Sequence, residues 1–63
     1  MKAFRIVKCS DPSLWYSDYI GEIFACYRME RLASGDILWT RHEKSDYGTL
    51  TNWVWAKDAE EAN

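Results

Sequence analysis

The sequence predicts a mainly β fold: a small antiparallel, half-open barrel with a short C-terminal helical turn. Two observations lead there. Apolar segments of strand length are cut by turn residues at Ser10-Asp11-Pro12-Ser13, Gly21 and Ser34-Gly35-Asp36, and no long helical repeat runs through them. The chain is also dense in aromatics, with 4 Trp, 4 Tyr and 2 Phe among 63 residues. A chain of this length is one domain, spanning 1–63, and aromatics give so short a chain the apolar area that a core requires.

Residues 2–9 read as a strand, because Phe4 and Ile6 alternate with Arg5. Pro12 stops it by fixing its own φ and holding Asp11 extended, and Ser10 and Asp11 can close a turn with their side chains. Residues 13–20 form a short helical turn or an irregular loop whose Leu14, Trp15 and Ile20 cover the core. Gly21 marks a backbone position of unusual φ. Residues 22–32 allow two readings. Ile23, Tyr27 and Arg31 have helical spacing, whereas Phe24 and Cys26 alternate with Arg28 and Glu30 as in a strand. The turn residues on either side favour the strand. Residues 37–42 are a strand, 43–48 a polar loop, and 49–55 a strand of Thr, Trp and Val. Asp58 is placed to cap a last helical turn, with Glu60 and Glu61 at its start.

The chain carries 8 basic and 10 acidic residues, a formal charge of −2. A generic nucleic-acid binder carries a basic excess. The charge is uneven, however: Lys2, Arg5 and Lys8 make the first strand basic, and Asp58, Glu60 and Glu61 make the last segment acidic. Cys9 and Cys26 are too few for a disulfide scaffold, and the first residues show no signal-peptide run. A reducing cytoplasm with free thiols is the expectation. Cys9, Cys26 and His42 are scattered and fall short of a zinc set, so no metal or other cofactor is expected. No segment approaches the roughly 20 apolar residues of a membrane helix.

The order of signals resembles small β-barrels of the Src-homology type. The matching pieces are Ile20-Gly21-Glu22-Ile23-Phe24, Gly35-Asp36-Ile37-Leu38-Trp39, and Gly48 leading to Trp53-Val54-Trp55-Ala56-Lys57-Asp58-Ala59-Glu60. The opening, with Val7-Lys8-Cys9-Ser10 and Trp15-Tyr16 before Ile20-Gly21, is similar to short bacteriophage proteins. The resemblance covers most of the chain and implies a fold and an origin, with no catalytic residue transferred. The acidic loop and paired aromatic rows of the proline-peptide binders of that fold are not placed by it.

Trp53 and Trp55 share one side of a strand and Val54 the other. If Val54 faces the core, the two indoles form an outward apolar patch, which is a binding signal; the converse packing puts them inside. Trp15 and Tyr16, with Tyr19, form either a second part of that surface or a core-capping loop. Arg41 joins the candidate partner contacts, because aromatics and arginine most often carry interface energy. His42, Glu43 and Asp46 lack the third partner that acid–base catalysis needs, so no enzyme is expected. The leading function is a protein–protein interaction module, which the phage resemblance would make a modulator or inhibitor of a host protein. The alternative is a nucleic-acid-binding barrel using Lys2, Arg5, Lys8, Arg41 and Lys44 on phosphates.

Overall fold

The computed structural model describes residues 2–42 and 50–62, without the side chains of Arg41, His42, Leu50 and Thr51. The fold is mainly β. Its strands are β1 (Lys2–Ile6), β2 (Ile23–Cys26), β3 (Arg28–Leu32), β4 (Gly35–His42), β5 (Leu50–Trp55) and β6 (Ala59–Glu61). They form two three-stranded antiparallel sheets, ordered β2-β1-β6 and β3-β4-β5. Residues 22–32 hold the two strands β2 and β3 and no helix. They make a bent ribbon whose halves serve the two sheets, with Tyr27 at the bend donating its N–H to the Trp39 carbonyl at 3.1 Å.

The long connection from β1 to β2 is held by local chemistry. Asp11 Oδ1 accepts from the Ser13 N–H and hydroxyl at 2.9 and 2.8 Å, closing the turn that Pro12 introduces. Successive turns follow through residues 14–22. Gly21 has a φ of +96° and donates its N–H to the Ile6 carbonyl at 2.7 Å, which returns the chain to the end of β1. A side chain would be strained there.

The last segment differs from its expectation. The helical turn is a 3-10 turn at Ala56–Asp58, without a side-chain cap, and it precedes a strand. Glu60 and Glu61 lie in β6, opposite Arg5 and Phe4 of β1, and the Ala62 N–H continues the ladder to the Ala3 carbonyl at 2.8 Å. A free edge on β1 offers backbone partners that a single acidic turn lacks, so the ladder overrides local preference.

The centre of the core is Ile6, Tyr16 and Val54, with Leu14, Trp15, Tyr19, Phe24, Trp55 and Ala59 packed around it. Ile6 comes from one sheet, Val54 from the other and Tyr16 from the connection between β1 and β2. That connection also covers the edge of β5. Trp15 donates its indole N–H to the Trp53 carbonyl at 2.7 Å, and the Tyr16 oxygen accepts the Trp55 N–H at 3.3 Å. Side chains thus take the place of a neighbouring strand on an edge that would otherwise invite aggregation.

Candidate binding surface

Strand alternation builds the surface. Val54 is 0 % exposed, so Trp53 and Trp55 stand on the opposite side of β5, half-buried. The β4–β5 register sets Trp39 opposite Trp53 and Ile37 opposite Trp55. Directly paired residues share a face, so the outer side of this sheet carries Trp39, Trp53 and Trp55 around Ile37. Ile37, on the same face, is only 4 % exposed. The Trp53 and Trp55 rings meet edge to face, their centroids 5.0 Å apart. Gly35, with a φ of +138°, lies against the Trp55 ring, and its backbone conformation is one that a side chain would strain.

Cations border the indoles. The Arg28 guanidinium lies 5.2 Å from the Trp39 ring centre and the Lys57 ammonium 5.6 Å from that of Trp55. Such contacts favour a positive charge over the ring face. Glu30 accepts from the Trp39 indole N–H at 3.0 Å and pairs with Arg28 at 3.3 Å. The Trp39 indole and the exposed Arg28 side chain thus share Glu30 as a partner.

Of the two roles open to Trp15 and Tyr16, the structure shows the core-capping one. Tyr16 is 0 % exposed and presents nothing to a partner. Its hydroxyl donates to Asp58 Oδ2 at 2.5 Å, and the Ser10 N–H and hydroxyl reach the same oxygen at 3.1 and 2.9 Å. Asp58 is fully buried, not a cap at the surface. Burial alone would push its carboxyl up, but hydrogen bonds from Tyr16 and Ser10 and the Lys8 charge outweigh it and hold it below the ordinary value. The Tyr16 phenol is pushed well up, first by burial and then by its bond to the carboxylate. Trp15 is half-buried, packed edge to face on Tyr16 and bonded to Trp53. Both residues support the surface from behind.

The basic strip expected for phosphate contact is also altered by the fold. β6 sets its acids beside the bases of β1: Arg5 stands opposite Glu60, and Lys2 pairs with Glu61 at 3.6 Å. Arg41 lies in β4 opposite Thr51, its side chain outside the described residues, as are the His42 side chain, Glu43, Lys44 and Asp46. Cys9 and Cys26 are free, Cys9 half-buried and Cys26 buried. Among the described residues no group of three or more His, Cys, Asp or Glu is placed to hold a metal ion, and no helix is long and apolar enough to cross a membrane.

Trp39 and Lys57 were not among the candidate contacts that the sequence offered. Trp39 was recoverable from the hairpin signal: pairing 35–42 against 50–55 brings Trp39 to Trp53 once the register is known. Searches of protein-family models, curated proteins and solved structures found no match for this chain.

Proposed function

We propose that this chain is a protein–protein interaction module on a small half-open barrel of the Src-homology type, binding through Trp39, Trp53 and Trp55. The observation that carries this reading is the outward tryptophan face. Trp39, Trp53 and Trp55 stand half-buried on one side of a sheet whose other side carries the buried Leu38 and Val54, and Trp55 also packs against the core cluster. A tryptophan left partly in water risks aggregation, and a rigid, cation-bordered cluster is the kind of site where interface energy concentrates. The barrel type is supported by the bent ribbon that serves both sheets and by the 3-10 turn between the last two strands. On the resemblance to short bacteriophage proteins, the partner is a cytoplasmic host protein that binding modulates. The pairing of β1 bases with β6 acids favours this reading over nucleic acid.

The test is affinity capture with the immobilised wild-type chain and a Trp53→Ala variant, before and after nuclease treatment of the extract. A protein retained by the wild type, lost with the folded variant and indifferent to nuclease is the expected result. Capture that survives the substitution, or that nuclease abolishes, overturns the reading.

A further inference from the structure

The core side of the β3–β4–β5 sheet is uncovered at one corner. By register Met29 stands beside Leu38 on that side, yet Leu38 is 1 % exposed and Met29 57 %. A groove opens there, lined by Lys2, Phe4, Cys26, Tyr27, Arg28 and Met29. Its wall is apolar, with the Phe4 ring stacked on Phe24 at 6.0 Å between centroids. Its two charged lining residues are both cations, against a net charge of −2 for the whole chain. Arg28 belongs to the groove and also to the tryptophan face, where it lies over Trp39. Groove and face therefore meet around the edge strand β3.

We infer that this groove takes an extended amphipathic protein segment bearing carboxylates, with its apolar side chains against Met29 and Phe4 and its acids on Arg28 and Lys2. The inference rests on the tryptophan face being a protein-binding surface and carries that surface around β3. Charge complementarity selects the occupant: cations border an apolar groove that no carboxylate lines among the described residues. Arg28 and Lys2 now face Glu30 at 3.3 Å and Glu61 at 3.6 Å, both as exposed pairs. Pairs of that kind contribute little in water, so an incoming carboxylate can join or displace them. Methionine suits such a floor, because its unbranched thioether adapts to varied apolar shapes. A single nucleic-acid strand wants a row of cations and flat stacking rings, and the groove offers two cations and a flexible thioether.

The experiment is a nuclear magnetic resonance titration that follows the Met29 methyl and the Trp39 indole N–H. The probes are a short peptide of alternating Leu and Glu, its Leu/Lys counterpart, and oligothymidylate. The Glu peptide is expected to move both signals and the Lys peptide neither. Arg28→Glu should weaken the Glu peptide at least about tenfold by placing like charges together, with the melting temperature near that of the wild type. A second variant, Lys2→Glu, should weaken it in the same direction. An equal response to the Lys peptide, or indifference to both charge reversals, overturns the inference. So does an oligothymidylate response that falls steeply with salt and displaces the peptide. A groove silent to every probe, beside capture that still depends on Trp53, sinks this inference and leaves the proposed function standing. A groove that responds as expected, beside capture indifferent to Trp53→Ala, sinks the proposed function alone.

Discussion

Two regions of this molecule hold a carboxylate against an aromatic donor, and they differ in burial. Inside, Asp58 accepts from the Tyr16 hydroxyl and twice from Ser10, with no exposed surface. Outside, Glu30 accepts from the Trp39 indole and pairs with Arg28, in contact with solvent. The inner set joins the connection after β1 to the turn before β6, across 48 residues of sequence. The outer set joins neighbouring strands that are already paired. Similar chemistry therefore fixes the fold in one place and orders a surface in the other.

The difference predicts unequal costs. Asp58→Ala should be the most damaging substitution, because it strands the Tyr16 hydroxyl inside and removes the anchor of the Ser10 turn. A stranded buried donor costs about 1–3 kcal/mol and each lost hydrogen bond to a charged group about 1.5–3 kcal/mol, together close to the whole stability that a single core gives so small a domain. Circular dichroism at room temperature should show a largely unfolded chain, and a cooperative melt near that of the wild type would break the comparison. Tyr16→Phe keeps the ring and removes one buried donor, so chemical denaturation should show a loss of about 1–3 kcal/mol.

The same pair sets the pH window. The folded pKa of Asp58 lies below its unfolded value, so its contribution is complete above about pH 4, the ordinary aspartate range. It is lost as pH falls through the lowered folded value. The folded pKa of Tyr16 lies above its unfolded value, so its contribution is complete below about pH 10 and is lost as pH rises beyond. Denaturation midpoints across pH should fall at both ends. Tyr16→Phe should flatten the alkaline arm. Asp58→Asn should shrink the acid arm, leaving the share of Asp11, whose carboxyl Ser13 holds low from the surface. An unchanged alkaline arm in the Phe variant would show that other groups carry it.

Smaller effects belong to the surface. Trp53→Ala removes a half-buried ring while Val54 keeps its place, so its stability cost should be about 1–2 kcal/mol, read from the same denaturation curves. Asp36→Asn, which removes an exposed partner of Arg31 at 3.8 Å, should change stability by less than about 0.5 kcal/mol. A larger loss there would mean that surface charge matters more than the comparison allows.

The legible part of the fold was the part carried by local pattern. Alternation placed Trp53 and Trp55 opposite Val54 and offered their outward arrangement as one of two packings. The turn residues around Gly21 and Gly35 separated the strands, and Gly21 has the positive φ expected of it. What escaped depends on partners distant in sequence. An aspartate followed by two glutamates favours a helix start, and nothing local reveals that Asp58 turns inward to Tyr16 and Ser10. Glu60 and Glu61 became strand because β1 had a free edge. That pairing also set the acidic end against the basic start, which the charge pattern alone could not show. Trp39 required the β4–β5 register, and the exposure of Met29 required knowing where the first sheet stops.

Inward aromatics make the fold, and on the proposed reading the outward ones make the contact. The most direct measurement is the affinity of the captured partner for Trp53→Ala and Tyr16→Phe, each corrected to its folded fraction. Trp53→Ala is expected to weaken binding by about 2 kcal/mol, roughly 30-fold, and Tyr16→Phe to bind as the wild type does. Wild-type affinity in the Trp53 variant, or an equal loss in both, would contradict that reading and return the outer tryptophans to a purely structural role.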